Sequence, residues 1–450
     1  MQHIHKEQQY LTDKNEIEFV NERKSEMKTL YERCQAVMPP CSGRATKLGV
    51  VSSEGMYVTT EDGRRMLDFA SGVAVNQFGH NHPEIVAAAK DQMDKGVHYG
   101  HNVLYYDPYV TLAEKLVEVT GGDTMVYFSN SGGEANDGAV KLAKFTTKRH
   151  CVIAFRNSFH GRTIGCSAIT ASNSKYRQNY DCISGIYFAD YANCYRCPFH
   201  QERETCHMEC VKQFDDMFNK LVNPETVAAM ILEPVQGEGG YIVPPKEFLE
   251  GLREICTKHG IMLIFDEVQA GNGRCGEYYA HMAHGVTPDI FTTAKALGGG
   301  FPLSAIVAKK EIMQKWEAGA HGGTFGGNPI ACAAGLAVFK LLEEGGLENC
   351  RKMGAYFMQK LTKLQKKYPA VIGDVRGLGL MIGMEMVHPD KTPNTELAGK
   401  ILADALENNI ILLNAGFDKN VVRFIAPLIV TEKEIDKVIE SIEDTLSKNK

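Results

Sequence analysis

Short apolar runs alternate with longer amphipathic stretches through the middle of the chain. This pattern is typical of βαβ units, in which parallel strands are buried between helices. We predict strands at Met125–Phe128, Cys151–Phe155, Val227–Leu232, Ile261–Phe265 and Ile290–Ala294, and helices at Leu112–Thr120 and Ala135–Thr147. The predicted fold class is therefore α/β, with a mostly parallel central sheet flanked by helices in a large domain over residues 75–324.

The two ends of the chain show other patterns. The first 40 residues are highly charged with few turn signals, and they predict an N-terminal helical arm. Apolar segments on either side of Asp62 and Gly63 predict a hairpin. Residues 41–74 and 325–450 are expected to form a smaller α+β domain, with helices at Pro329–Glu344, Asn349–Lys367 and Glu432–Ser447 and strands at Val371–Arg376, Leu380–Met386 and Val421–Phe424.

Two predicted strands end on complementary chemistry. Ile261–Phe265 stops at Asp266 and Glu267, and Ile290–Ala294 leads directly to Lys295. Because the carboxyl ends of parallel strands face the ligand crevice, we expect an amine and a carboxylate in one cleft. Pyridoxal phosphate needs such a pair, since its aldehyde reacts with a lysine amine and an anion keeps its ring nitrogen protonated. A lone lysine is more often a solvated surface charge, so other segments must complete the site.

A glycine-rich turn is one such segment. Ser131, Gly132 and Gly133 lie between a strand and a helix N-terminus, where free backbone N–H groups and the helix dipole favour an anion. A phosphate suits this position. Two glycines before a helix are also a common plain turn.

Two further loops add aromatic and charged side chains. The loop NSFHGRT carries Phe159, His160 and Arg162, and the loop EPVQGEGG carries Glu233 and Glu238. An aromatic ring can stack on a planar cofactor, and an arginine can bind a carboxylate bidentately. The alternative is a packed phenylalanine and a surface arginine.

Composition excludes several classes of protein. The chain has 450 residues, 44% hydrophobic and 23% charged residues and a net charge of -6, which is ordinary for a globular protein and gives no argument for nucleic acid or an anionic membrane. No apolar run approaches the roughly 20 residues of a spanning helix. The polar start is not a secretory signal, so we expect a cytoplasmic enzyme.

One short segment is rich in cysteine. Four of the 13 cysteines lie in ANCYRCPFHQERETCHMEC, the first two at the C-x-x-C spacing of zinc sites: Cys194, Cys197, Cys206 and Cys210. Structural metal binding is the minor alternative here. The expectation is that no metal binds and that the segment is a packed or disulfide-capable flap.

Six motifs together resemble one family. SGGEAN, FHGRT, EPVQGEGG, DEVQAGNGR, KALGGGFP and GGTFGGNP occur in this order and at separations similar to those of the class III, or ω-amino acid, aminotransferases of the fold-type I pyridoxal phosphate enzymes. The resemblance extends from about Gly43 to the C-terminus. Cys275 replaces the family's usual threonine, which we expect to alter a loop rather than the chemistry.

The resemblance implies a role for each matching residue. Lys295 forms the Schiff base with the cofactor and Asp266 pairs with its ring nitrogen. Thr324 reaches the phosphate of a neighbouring subunit, so the site is complete only in a homodimer. The remaining cofactor-binding residues are Ser131, Gly132 and Gly133 at the phosphate, Phe159, His160 and Val268 around the ring, and Gln269 at the phenolic oxygen.

The resemblance also indicates the substrates. Arg162 matches the position that binds a distal carboxylate, Arg423 the one that binds the α-carboxylate of glutamate, and Glu238 the one that neutralises Arg423 for ω-amino donors. Glu233 and Val73 are further expected substrate contacts. Together they favour 4-aminobutyrate or a related donor and 2-oxoglutarate as acceptor. Ornithine or acetylornithine aminotransferases, and a racemase or aminomutase on the same scaffold, are the alternatives.

Overall fold

The computed structural model of the chain describes residues 28–179 and 183–449, so most of the predicted N-terminal arm lies outside the described residues. The strands are β1 (Val50–Glu54), β2 (Tyr57–Thr60), β3 (Arg65–Asp68), β4 (Thr124–Ser129), β5 (Cys151–Phe155), β6 (Ile186–Ala189), β7 (Val227–Leu232), β8 (Met262–Asp266), β9 (Ile290–Thr293), β10 (Ser304–Lys309), β11 (Ile372–Leu378), β12 (Met381–Met386), β13 (Ile410–Ile411), β14 (Leu413–Ala415) and β15 (Val421–Phe424). The helices are α1 (Leu30–Val37), α2 (Ser71–Ala74), α3 (Pro83–Lys95), α4 (Asp107–Val119), α5 (Gly132–Thr147), α6 (Ile164–Ile169), α7 (Glu209–Lys220), α8 (Lys246–His259), α9 (Ala280–His284), α10 (Lys310–Met313), α11 (Pro329–Leu341), α12 (Leu347–Lys367), α13 (Thr395–Glu407) and α14 (Glu432–Lys448).

The described chain divides into two compact units, residues 28–53 with 58–66, and residues 54–57 with those from 67 onward. In the first unit, α1 begins with a capping box in which the side chains of Thr29 and Glu32 each bond the other residue's backbone N–H. The Thr60 N–H donates to the Arg64 carbonyl at 3.0 Å across the predicted hairpin turn. The hairpin is therefore present as β2 and β3.

The second unit contains a seven-stranded sheet in the order β4-β10-β9-β8-β7-β5-β6. Its neighbouring strands are parallel except β10, which runs antiparallel to both β4 and β9. Every predicted strand of the large domain is present within one residue at each end; Ile261–Phe265 is shifted by one residue as β8. The mostly parallel sheet is confirmed.

The apolar strands are buried because helices cover both faces of this sheet. All residues of β5 and β7 are buried. On one face, Ala139 and Leu142 of α5 pack with residues of the central strands. On the other face, Phe248 of α8 meets Phe155 of β5, with ring centroids 5.9 Å apart. This leaves the carboxyl edge of the parallel strands as the place for a site.

A second sheet, β11-β12-β15-β14, is antiparallel and lies within residues 372–424. The helices predicted at the C-terminal end are present as α11, α12 and α14. The predicted boundaries between large and small domains stay a prediction. In the described part of the chain, no helix has the length and apolar character needed to cross a membrane.

Candidate active site

The predicted lysine and acid lie in one cleft at the carboxyl edge of the sheet. Asp266 ends β8, and Lys295 follows β9 with a left-handed backbone, φ 47°. Both line a cleft of about 360 Å³. Other predicted residues that line it are Ser131, Gly132, Gly133, Phe159, His160, Glu233, Val268 and Gln269.

The carboxylate of Asp266 is buried and held by three donors. Its Oδ2 accepts from Asn136 Nδ2 at 2.7 Å and lies 2.8 Å from His160 Nδ1. Its Oδ1 accepts from the Val268 N–H at 3.0 Å. Since an ionised carboxylate only accepts, His160 carries its proton on Nδ1. The carboxylate is thereby fixed in position.

Asn136 was not singled out from the sequence, although it lies in the glycine-rich motif. The hydroxyl of Thr292 donates to Asn136 Oδ1 at 2.7 Å, which leaves the NH₂ end for Asp266. The same nitrogen donates to the His160 carbonyl at 2.8 Å. Asn136 therefore joins α5, the loop after β5 and the end of β8, a role that only the tertiary structure reveals.

The amine of Lys295 is prepared to react. Burial lowers its pKa, and the carboxylates of Asp266, Glu238 and Glu233 only partly oppose this effect. Its Nζ forms no hydrogen bond with any described residue. A lower pKa gives more of the unprotonated amine, which is the nucleophilic form.

The N-terminus of α5 provides an anion site. Ser131 and Glu134 form a capping box, and the N–H groups of the first helical turn, including Gly132 and Gly133, have no partner within the helix. A Cβ on Gly132 would lie 2.8 Å from Val268 Cγ1. Glycine is therefore required where the helix end approaches the cleft wall.

Glu233 joins the two loops that carry predicted site residues. Its Oε1 accepts from the Phe159 N–H at 2.9 Å and its Oε2 from the Gly237 N–H at 2.8 Å. Burial raises the pKa of this carboxyl to about 7, against a lowering effect of His160 and with a further rise from Asp266. Its contacts in the described residues are those of a residue that positions loops.

Arg423 and Glu238 form an ion pair, with Nη1 and Oε1 2.6 Å apart. Burial raises the pKa of Glu238, but the charge and hydrogen bond of Arg423, together with the charges of Lys419 and Lys295, hold it below its ordinary value. The Tyr241 hydroxyl donates to Gln269 Oε1 at 2.8 Å. The predicted charge pair is thus formed, with a buried tyrosine beside it.

Like Glu238 and Arg423, three other predicted residues lie outside the lining of this cleft. The guanidinium of Arg162 lies 3.7 Å from the centre of the Tyr176 ring. Thr324 lies in an exposed segment, residues 322–325. Val73 is 41% exposed, and Val75 lines the cleft instead. The roles predicted for these residues stay predictions.

The four cysteines of the segment 194–210 border one small cavity of about 30 Å³, and all are free thiols. Burial raises the pKa of Cys210 to about 12. Across residues 28–179 and 183–449, no group of three or more His, Cys, Asp or Glu side chains is arranged to hold a metal ion. The described geometry therefore gives no support to the metal alternative.

The sequence matches the family profile described as "Aminotransferase class-III" over residues 41–446. The chain belongs to the class III aminotransferases. These enzymes depend on pyridoxal phosphate, so the protein is a pyridoxal phosphate-dependent aminotransferase.

Curated relatives of this class III aminotransferase differ in their reactions. It is 39% identical to the 5-aminovalerate aminotransferase DavT of Pseudomonas putida, covering 92% of this chain and 97% of that one. It is 37% identical to the 4-aminobutyrate aminotransferase GabT of Escherichia coli, covering 92% and 97%. It is also 37% identical to the leucine/methionine racemase of Thermococcus litoralis, covering 93% and 95%.

Among solved structures, a PLP-bound amine transaminase from an uncultivated Pseudomonas species superimposes with a TM-score of 0.85. The two chains are 31% identical, and the match covers 91% of this chain and 98% of that one. The fold-type I architecture is confirmed.

The chemical groups that line the cleft of this aminotransferase fit pyridoxal phosphate. A helix N-terminus suits a phosphate, the half-buried Phe159 suits a flat ring, and the buried anion of Asp266 suits a protonated ring nitrogen. The buried amine of Lys295 opens on the same space. Each chemical demand of the cofactor therefore meets a matching group.

We predict that Glu233 makes the cofactor-free enzyme less stable as the pH rises. Its pKa in the folded protein is about 7, above the ordinary value of 4.5, so the stability it contributes is fully present below pH 4.5 and is lost as the pH rises through about 7. The free energy of unfolding should fall by up to about 3 kcal/mol across this window.

Denaturant unfolding at several pH values measures this fall, and Glu233→Gln should flatten it. Glu247→Gln, which removes an exposed carboxylate, serves as the control and should keep the parental slope. An identical pH dependence for the parent and Glu233→Gln would contradict the prediction.

Proposed function

We propose that this enzyme transfers the amino group of an ω-amino acid, 4-aminobutyrate or a close homologue such as 5-aminovalerate, to 2-oxoglutarate. The products are the corresponding semialdehyde and glutamate. The observation that carries this proposal is the ion pair between Arg423 and Glu238, 2.6 Å apart. The 5-aminovalerate and 4-aminobutyrate aminotransferase activities of the relatives DavT and GabT agree with it.

The ion pair allows one cleft to accept two kinds of substrate. While Glu238 neutralises Arg423, no cation is left unpaired beside the reacting carbon, and a donor without an α-carboxylate can enter. When Arg423 leaves Glu238, it can bind the α-carboxylate of glutamate or 2-oxoglutarate. Both substrates of a transamination cycle are thus accommodated in turn.

Pyridoxal phosphate would be held by the residues that line the cleft. The N-terminus of α5, with Ser131, Gly132 and Gly133, would bind the phosphate. Phe159 and Val268 would lie on opposite faces of the ring, with His160 behind Asp266, and Gln269 would contact the phenolic oxygen. When bound, the cofactor supplies an aldehyde carbon that reacts with amines and a ring that accepts an electron pair.

Two side chains would then carry the proton chemistry. Lys295 Nζ would hold the cofactor through its aldehyde carbon and, as a free amine, would take up the proton from the substrate carbon that bears the amino group. Asp266 would keep a proton on the ring nitrogen, so that the ring could accept charge. The lowered pKa of Lys295 leaves its amine ready to take up that proton.

Arg162 would bind the carboxylate distal to the reacting amine. Its guanidinium is stacked on Tyr176, which limits its freedom while leaving its N–H edge for a carboxylate. A donor with carboxylate and amine at opposite ends suits Arg162 at one end and Lys295 at the other. The side-chain carboxylate of 2-oxoglutarate suits the same arginine.

We also propose that the active unit is a homodimer. Thr324 lies in the exposed segment 322–325 and does not line the cleft of its own chain. In a dimer its hydroxyl would reach the phosphate bound to the neighbouring subunit.

A screen of donors and acceptors on the holoenzyme tests the proposed function. We expect turnover of 4-aminobutyrate or 5-aminovalerate with 2-oxoglutarate, and loss of the cofactor's visible band and of activity in Lys295→Ala. N-acetylornithine and ornithine are the rival donors. If no ω-amino acid is turned over with 2-oxoglutarate by a protein that retains its cofactor, the proposal is contradicted.

Racemisation is the second candidate, because the relative from Thermococcus litoralis is 37% identical over most of both chains. A racemase needs no keto-acid acceptor, whereas a transaminase stops after one half-reaction without it. Incubation of L-leucine or L-methionine with the holoenzyme alone separates the two. Formation of the D-enantiomer in many turnovers would favour the racemase.

We predict that Glu238→Gln shifts substrate preference toward α-carboxylates. Without Glu238, Arg423 remains charged and unpaired, which should strengthen glutamate binding and weaken binding of 4-aminobutyrate. Half-reaction kinetics with each donor should show the ratio of apparent dissociation constants moving about tenfold toward glutamate.

Asp436→Asn is the matched control, because it breaks an ion pair with Lys360, 2.7 Å long, outside the cleft. The control should leave the ratio unchanged. A Glu238→Gln enzyme with the parental ratio would show that Glu238 does not set donor choice.

A further inference from the structure

Tyr241 lies between Gln269, which lines the cleft, and Arg423, which pairs with Glu238. Tyr241 itself does not line the cleft. A backbone bridge between Gln236 and Ile242, with hydrogen bonds of 3.0 and 3.1 Å, closes the loop that contains both Glu238 and Tyr241. Tyr241 itself is fully buried, with a left-handed backbone, φ 57°. A non-glycine residue in this conformation is strained, so the closed loop must hold it there.

The hydroxyl of Tyr241 contacts groups on both sides. It donates to Gln269 Oε1 at 2.8 Å, and Gln269 lines the cleft. It also lies beside the guanidinium of Arg423. Burial lowers the pKa of Arg423, but Tyr241 and Glu238 more than offset this effect and raise it overall. The Tyr241 hydroxyl therefore lies next to a residue proposed to contact the cofactor, Gln269, and next to one proposed to bind the substrate, Arg423.

We propose that Tyr241 is a positioning residue that orients the carboxamide of Gln269 toward the cofactor and couples that orientation to the Arg423–Glu238 pair. This inference deepens the proposed function and rests on it for the roles of Gln269 and Arg423.

The direction of the hydrogen bonds follows from the chemistry of arginine. A guanidinium can only donate, so Arg423 does not compete with Gln269 Oε1 for the tyrosine proton. The tyrosine proton is then directed to Gln269 Oε1, which fixes the oxygen end of the carboxamide. The NH₂ end is left as the donor for the phenolic oxygen of the cofactor.

Gly237 leaves room for this orientation. A Cβ at Gly237 would lie 2.4 Å from Gln269 Nε2 and 2.8 Å from its Cδ. Any side chain there would displace the carboxamide, because no real Cβ contact is so short. Gly237→Ala is therefore a second way to disturb Gln269 while the tyrosine side chain is kept.

The test is a pH titration of the visible band of the bound cofactor in the Tyr241→Phe holoenzyme, without any substrate. Loss of the orienting bond lets the carboxamide turn its oxygen toward the phenolic oxygen. We expect the titration midpoint to shift by about half a pH unit or more and cofactor loss to be about fivefold faster. Gly237→Ala should shift the midpoint as well.

Two comparisons make the result specific to positioning. In a Gln269→Leu background, Tyr241→Phe should cause no further shift, because the residue it acts through is gone. Tyr356→Phe removes a hydroxyl that bonds Asp436 at 2.9 Å outside the cleft, and it should leave the midpoint unchanged. Melting temperatures of all variants report purely structural damage.

An unshifted midpoint in Tyr241→Phe, or a full shift in the Gln269→Leu background, would overturn the inference. Should Tyr241→Phe fail to fold, an unshifted Gly237→Ala would overturn it equally. The titration uses no amino donor, so its result can be interpreted even if ω-amino acids are not turned over. A lack of turnover contradicts the proposed function only.

Discussion

The buried carboxylate of Asp266 is the constraint on which the site depends. Burying an unpaired anion costs several kcal/mol, and the side chain is only 3% exposed. Asn136, His160 and the Val268 N–H offset that cost, and they come from α5, the loop after β5 and the turn after β8. The anion is therefore stable only when three separate segments are assembled. A protonated ring nitrogen of a bound cofactor would offset more of the cost of burying this anion.

The loops around this anion are tied to one another rather than packed independently. Glu233 accepts backbone N–H groups from the loop of Phe159 and from the loop of Gly237. The second loop carries Glu238, which pairs with Arg423 on β15. The proposed cofactor and substrate sides are thus joined by hydrogen bonds and one ion pair, and the proposed function requires that this ion pair can open. This arrangement suits an enzyme whose two substrates differ in one carboxylate.

Much of this architecture is predictable because the relevant signals are local. Continuous apolar runs specified the strands, and the rule that carboxyl edges face the crevice brought Asp266 and Lys295 together. The contributions of Asn136 and Tyr241 were not predicted. A polar residue in a helix and a tyrosine after glycines are common, and their hydrogen-bond partners are distant in the sequence. The apolar pattern alone did not distinguish the two adjacent acids, although the family resemblance selected Asp266. In the structure Glu267 accepts the N–H groups of Ala280 and His281 and caps a helix, while Asp266 lines the cleft. The left-handed backbone at Ser71–Ala74 was not predicted, and there Val73 is exposed while Val75 lines the cleft.

The role of the Asp266 carboxylate is tested most directly by the rate of the first half-reaction in Asp266→Asn. The rate is followed in a stopped-flow spectrometer with cofactor bound. A carboxamide keeps the size of the side chain but cannot hold a proton on the ring nitrogen by charge. We expect the cofactor band to be retained and its conversion by donor to slow about 100- to 1000-fold. Conversion at a near-parental rate, with cofactor bound, would contradict the role of this carboxylate.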